Sequence, residues 1–485
     1  MEILLVTTEL DLKLSALDAA EEILALAKTF RQLGHDVTIL APFDDNIEGS
    51  GLLVARRLTP LILSGGRPAT VFDAQMASGT KMILLGLPTT REAAKAAASE
   101  PSVDPTALKA AEFAQGVAAF VEQRAEQPQP FDVVHLFGWP ALLVAIALRA
   151  TLKVVVPSIV LSIREPKPSV ELQALPREAI DAALAGRDLE SNLEIGSIWR
   201  RGVAAVDAII APSEGHIEAW AQLAAAEQDV MVQPTRSKTF AVVSGVDYAR
   251  FNPATNPCLV SRYDAENADT KRVCKTALLQ RMGLGLDERP LVLFPEFARD
   301  EAGAKVVLHA VDALLDRAMT FAFWSRPGNP NAVVQELDRR IRGHESQMAH
   351  GVLLDDDDFH RGVAAADFVA YAAQRAPGNA GHAAAQRYGA IVIGPNVPGL
   401  NDAIVNCDSA LETGTGFLFE ELSPTGLLGA LGRAEAAYRH PSFVRLRRRV
   451  MRQDCSWDRP CRRLLQIYKK AVNGRLREIS AELSA

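Results

Sequence analysis

The sequence predicts an α/β protein made of two doubly wound halves. Three observations carry that prediction: strands and helices alternate along the chain, the strands are continuous apolar runs, and the length suits two large domains. Ile3 to Thr8 is an aliphatic, β-branched run and reads as the first strand. The spacing of Leu17, Ile23, Leu24, Ala27 and Phe30 predicts a helix over 14–33. Gly34-His35-Asp36 then turns the chain into a strand over 37–40, which completes a βαβ unit. The unit recurs. Residues 131–136 read as a strand, 141–150 as a helix, 154–156 as a strand, and 207–211 as a short strand leading into a helix. Strands covered by helices on both faces have this uniformly apolar character. Residues 252–257 (Asn-Pro-Ala-Thr-Asn-Pro) are loop chemistry. The alternation resumes with a strand at 291–294, a helix at 304–315 and a strand at 320–324. Strand 367–371, helix 380–387 and strand 390–393 follow, and the last hundred residues read as mostly helical. The halves are expected to meet near residues 240–250. Ligands of such sheets bind beyond the carboxyl ends of the strands, so the expected site is the cleft between the halves. The alanine-rich 93–98 reads as a surface helix.

Composition narrows the function. The chain has 485 residues, 48% of them hydrophobic and 23% charged, the profile of an ordered globular protein rather than a disordered chain or a small disulfide scaffold. Net charge is −7 and the isoelectric point about 5.8, so there is no basic excess to neutralise a nucleic acid. No apolar run approaches the ~18 residues of a membrane span. Met1 to Val6 reads as a strand rather than a signal peptide, having no basic leader. The five cysteines form no CxxC pair, which fits a cytoplasmic protein with reduced thiols. Neither a metal nor a resident cofactor is expected.

Gly245-Val246-Asp247-Tyr248, Phe251 to Pro257, Leu259 and Tyr263 form a long, specific string. It resembles the interdomain segment of bacterial glycogen synthases and plant starch synthases. Leu33 to Val37, Asp132-Val133-Val134-His135 with Trp139, Arg387-Tyr388-Gly389, Gly414 to Phe417 and Gln453 to Trp457 are similar to further segments of that family. The resemblance covers almost the whole chain. It implies the GT-B architecture, in which two Rossmann-like doubly wound domains face each other across a cleft. The implied domains are 1–240, 241–460 and a helical segment 461–485 that crosses back to the first. The implied reaction is retaining, metal-free glucosyl transfer from ADP-glucose to the end of an α-1,4-glucan.

The site positions depart from that family. A Lys-x-Gly-Gly-Leu turn after the first strand lets backbone and lysine approach a diphosphate. Here Ser15 stands at the lysine and Leu17-Asp18 at the glycines; a shifted register reaches Lys13 but recovers no glycine. In the family's Arg-Leu-Thr-x-Gln-Lys-Gly segment, Phe297 replaces the arginine and Ala302 the lysine. In Glu-Pro-x-Gly-Leu, Ala376 replaces the glutamate, and His382 takes a glutamine position. Arg164-Glu165 replaces the histidine and asparagine of Ile-His-Asn. The His-Asp-Trp acceptor segment reads Phe137-Gly138-Trp139. Pro398 enters a Thr-Gly-Gly-Leu turn and removes one backbone donor.

The retained segments are those that set the fold, and the altered ones are those that carry chemistry. A catalytically inactive relative is therefore expected, acting as a binding, regulatory or assembly partner of glucan, of an active synthase or of another protein. The alternative is a diverged transferase that uses Arg164, Arg299, Lys305 and His382 as substitute anion-binding charges, with ADP-glucose as donor. Other candidates have plain structural readings. Arg164-Glu165 reads as an internal ion pair, His382 as a satisfied or half-exposed histidine and Asp355–Asp358 as a solvated turn before a helix near Phe359. Arg445–Arg449 reads as a solvated face, and His135, Trp139 and Trp324 as core or cleft wall.

Overall fold

The computed structural model describes residues 1–10, 12, 19–44, 47, 50–63, 66–87, 105–151, 157–166, 195–227, 233–327, 332–374 and 381–484. The chain forms two compact units: Met1–Val243 with Asp458–Ala485, and Ser244–Trp457. The predicted strand at 154–156 and surface helix at 93–98 lie outside the described residues.

The first unit is one sheet in the order β10-β9-β8-β7-β1-β2-β6-β5-β3, with β4 paired to β5. Its strands are β1 (Glu2–Thr7), β2 (Asp36–Pro42), β3 (Val54–Arg56), β4 (Leu61–Ile62), β5 (Pro68–Gln75), β6 (Lys81–Gly86), β7 (Val133–Phe137), β8 (Ser158–Ser162), β9 (Ala208–Ala211) and β10 (Thr239–Ala241). Pairing is parallel from β10 to β6 and antiparallel at the β5 hairpins. Leu4 of β1 stands between Thr38 and Val134. The chain leaves β1 towards β2 and returns on its other side at β7, which makes the β1/β7 junction a switch point.

The helix Asp458–Ser484 packs on this unit, burying Cys461, Leu464, Ile467, Tyr468 and Ala471 at helical spacing. Tyr468 meets Phe30 at 5.6 Å between ring centroids, and its hydroxyl lies 2.6 Å from His135 Nδ1. His135 Nε2 lies 2.7 Å from the Ser162 hydroxyl. Burial holds this imidazole neutral by pushing its pKa down to about 3. His135 is thus a core residue.

The second unit is a fully parallel sheet in the order β13-β12-β11-β14-β15-β16. The strands are β11 (Leu291–Phe294), β12 (Thr320–Ser325), β13 (Met348–Val352), β14 (Phe368–Ala370), β15 (Ile391–Pro395) and β16 (Gly416–Phe419). This is the dinucleotide-fold order 3-2-1-4-5-6, with its switch point between β11 and β14.

The segments that carry the family resemblance bind one another. Tyr263 donates to the Tyr388 carbonyl at 2.8 Å, and Asn256 Nδ2 donates to the Tyr388 hydroxyl at 2.9 Å. The Tyr248 hydroxyl donates to the Gln453 carbonyl and accepts from the Cys455 amide, while its ring lies under the Arg387 guanidinium. Lys271 is fully buried and donates to the carbonyls of Val363, Ala364 and Tyr388. Asp367 accepts from Lys275, Arg447 and the Leu291 amide, which ties the starts of β11 and β14 together. Burial would raise that carboxyl, but the two cations hold it below the usual range.

Two expectations change here. Asp355–Asp358 is not a solvated turn: Asp355 caps the helix Asp356–Ala365 by accepting from Asp358 N. Asp356 pairs with Arg250 and the buried Asp358 with Arg281. Arg445–Arg449 is not a purely solvated face either. Arg447 holds Asp367, and Arg449 donates to the carbonyls of Leu411, Glu412, Thr413 and Gly414. Both runs are spent on structure because each neighbours a group of opposite polarity that would otherwise be stranded.

Candidate functional site

Each unit offers its chemistry at the carboxyl ends of the strands beside its switch point. In the second unit those ends carry Glu296 and Phe297 after β11, Arg326 after β12 and Tyr371 after β14. The Glu296 side chain is only 5% exposed, and one of its oxygens takes Arg299 Nη1 at 2.6 Å and Arg326 Nη2 at 3.2 Å. Tyr371 is buried, and its hydroxyl has no partner among the described residues. Burial and the Glu296 charge push its pKa up, so it stays a neutral phenol.

Phe297, which the sequence resemblance sets at an arginine position, is in the core. It meets Phe323 edge-on at 5.5 Å, and its amide donates to the Trp324 carbonyl at 2.7 Å. Ala298 follows at φ 69°, a left-handed conformation that costs a residue with a Cβ of order 1–3 kcal/mol. The helix Glu301–Leu315 then starts with its own carboxylate in place: Asp300 accepts from the Gly303 amide at 2.8 Å and from the Gln374 amide at 2.9 Å. A Cβ on Gly303 would lie 1.7 Å from the Ala372 carbonyl oxygen, so only glycine allows this contact. Such helix starts receive phosphates in other folds through free amides and the helix dipole. Here Asp300 and Glu301 occupy that end.

Charge at the turn is consequently balanced. Glu296, Asp300 and Glu301 face Arg299, Arg326 and Lys305. Lys305 is 57% exposed and pairs with Glu301 at 2.6 Å, and Ala302 sits half-buried between them in sequence. His382, in the short helix Gly381–Arg387, is buried rather than half-exposed. It is 7% exposed, its Nδ1 has no partner among the described residues, and burial lowers its pKa to about 4. Ala376 lies outside the described residues.

The first unit repeats the theme. Arg164, after β8, pairs at 2.7 Å with Glu22 in the first turn of the helix Ala19–Gln32. The expected Arg164-Glu165 pair is therefore corrected: Arg164 meets Glu22, which the helix after β1 brings to the end of β8. The Glu165 carbonyl instead accepts from Trp139 Nε1 at 3.0 Å. Trp139 is buried edge-on against Trp199. Gly138, at the acceptor aspartate position, has φ 81° and ψ 163°, a region that aspartate does not reach without strain. Ser15, Lys13, Leu17 and Asp18 lie outside the described residues.

Of the four proposed substitute charges, Arg164 belongs to the first unit and Arg299, Lys305 and His382 to the second. The three cations are each engaged by an acid of their own unit. Sequence reading did not single out Glu22, Glu296, Arg326 or Tyr371. The signal for the last three is a position just past a strand beside the switch point, which needs the strand order to be seen. No group of three His, Cys, Asp or Glu among the described residues could hold a metal, and no described helix is long and apolar enough to cross a membrane.

A glycosyl transferase 4-like domain matches residues 19–235. Glycogen synthase 2 of Agrobacterium fabrum is 24% identical over 505 aligned positions, covering 99% of this chain and 95% of that one. Glycogen synthase of Leptothrix cholodnii is 29% identical over 238 residues, 48% of each chain, so there the match spans about half the relative's length. Glycogen synthase of Nitrosospira multiformis is 32% identical over 48% of this chain and 47% of its own. Among solved structures, the catalytic domain of starch synthase IV from Arabidopsis thaliana, bound to ADP and acarbose, superposes with a TM-score of 0.80 at 18% identity, over 97% of this chain and 99% of that one. Sucrose-phosphate synthase from Thermosynechococcus elongatus superposes with a TM-score of 0.62 at 13% identity, over 98% of this chain and 100% of that one. These likenesses establish a shared fold.

Proposed function

This chain belongs to the glycogen/starch synthase-like glycosyltransferases of GT-B fold, and from that premise we propose that it no longer transfers glucose and serves as a binding, regulatory or assembly partner in glucan metabolism. The observation that carries the reading is Phe297. It stands where the family places the arginine that neutralises the leaving diphosphate, and it is packed in the core against Phe323. The neighbouring Glu296 takes up the two nearby guanidinium groups, and Asp300 fills the helix start. Losing one preorganised charge partner of a transition state costs about 2.7–4 kcal/mol. Losing the arginine and the lysine together would remove on the order of 10⁴ or more in rate, although such losses are not additive. Glucan, an active synthase or another protein is the partner class consistent with this reading.

A diverged transferase is the second reading, and the Arg299–Arg326 pair favours it by keeping two guanidinium groups at the switch point. One experiment separates them. The purified protein is given labelled ADP-glucose or UDP-glucose with glycogen, beside an active synthase. The expected result is no incorporation. Incorporation at a thousandth of the control, abolished by Arg299→Ala or Arg326→Ala, would overturn the inactive reading in favour of a rearranged site.

A further inference from the structure

The first unit has a concavity at the amino ends of its strands. A cavity of about 390 Å³ lies at the amino ends of β9 and β10, beside Asp207 and Lys238, and is closed on one side by the C-terminal helix Asp458–Ser484. Among the described residues its lining carries Arg149, Lys238, Lys470 and Arg475 against one carboxylate, Asp207. That carboxylate is already committed: both its oxygens take Arg149 Nη2 at 2.8 Å, and one also accepts the Ile159 amide at 2.7 Å. Lys238 Nζ donates to the carbonyls of Val203 and Val206 at the end of the helix Ile195–Ala205. Carbonyl dipoles orient a lysine without cancelling its charge, so the described lining carries more cations than carboxylates. Lys470 stands 4.9 Å from the Phe240 ring centroid, which gives the cavity one apolar wall with a cation above it.

Gly474 supplies an independent observation. It sits inside a 27-residue helix, where glycine is less stable than alanine by roughly 1 kcal/mol. Close packing does not require it, because a Cβ built there meets no atom within 4 Å. Yet Gly474 lines this cavity, four residues beyond Lys470 on the same helical face. A side chain at 474 would reach into the open space, and glycine keeps it clear.

We propose that this cavity binds a small phosphate-bearing molecule, with Lys470 and Lys238 contributing charge and Phe240 an apolar wall. The volume lies in the range of small-molecule sites and is too small for a folded partner. The phosphate could be carried by a sugar or by a nucleotide, which share the recognised group. The proposal does not rest on the loss of transferase activity, since the cavity is at the sheet end away from the strand carboxyl ends.

The test is titration calorimetry on the full chain at low ionic strength with inorganic phosphate, a hexose phosphate and AMP. Saturable binding of a phosphate ester, tighter than inorganic phosphate and weakened by added salt, is expected. The hexose phosphate binding tighter assigns a sugar phosphate, and AMP binding tighter assigns a nucleotide. Lys470→Glu is expected to weaken binding at least about tenfold, a loss typical of a charge-assisted bond. Gly474→Gln, which keeps every charge and suits a helix, is expected to weaken it by filling the space. No saturable binding of any of the three probes would overturn the proposal, as would affinities within twofold of wild type in both variants.

Discussion

His135 makes the stability of the first unit depend on pH in a way that can be calculated. The ring is fully buried between the Tyr468 and Ser162 hydroxyls, and burial lowers its pKa from 6.5 to about 3. Above pH 6.5 it is neutral whether the chain is folded or not, and it contributes no pH dependence. Below that value the unfolded chain protonates and the folded one does not. Unfolding then takes up a proton, so stability falls as pH falls. Between pH 7 and pH 5 the loss is about 2 kcal/mol, and it saturates near 5 kcal/mol below pH 3. The assay is urea unfolding at both pH values, for wild type and for His135→Gln, which keeps a donor and an acceptor for the two hydroxyls but cannot titrate. The variant is expected to be less stable at pH 7 and to lose about 2 kcal/mol less than wild type on going to pH 5. Equal losses in the two proteins, or an NMR titration of His135 near 6.5, would refute the reasoning.

Other outcomes follow from the same geometry. Phe297→Ala should cost about 3–5 kcal/mol of second-unit stability, read as a lower urea midpoint, because it empties a buried ring position against Phe323. Glu296→Gln should release Arg299 and Arg326 from their carboxylate. Calorimetry with pyrophosphate at low salt is expected to show binding in this variant that wild type lacks, and no gain would mean that Glu296 does not hold the site closed. Asp367→Asn should cost about 3–5 kcal/mol by stranding Lys275 and Arg447 in the interior, and a change under 1 kcal/mol would argue against that buried cluster.

Much of the fold was legible because its determinants are local. The runs at β1, β7, β11, β12 and β15 are mostly apolar and buried nearly end to end, as strands covered on both faces are. The interdomain string was recognisable because Asn256, Tyr263 and Tyr388 hold one another through side-chain hydrogen bonds that few other residues can make. The residues that the resemblance sets at the family's charged positions, Phe297 and Ala302, were legible too, since they stand in an ungapped register with Gly303. What failed to show was the pairing of charges. Arg164 meets Glu22 rather than Glu165, a partner 142 positions away in sequence. The acidic run 355–358 and the arginines 447 and 449 looked solvated because their partners come from distant elements.

The sequence by itself determined the fold class, because apolar periodicity and motif identity are written residue by residue. Only the tertiary structure decided which side chains meet at the strand ends and beside the C-terminal helix. Strand order brings Glu296, Arg326 and Tyr371 to the ends of three adjacent strands, and helix docking brings Lys470 and Gly474 beside Lys238. Charges interact through space over a few ångströms, and neighbourhood in space is fixed by chain crossings that sequence spacing does not encode.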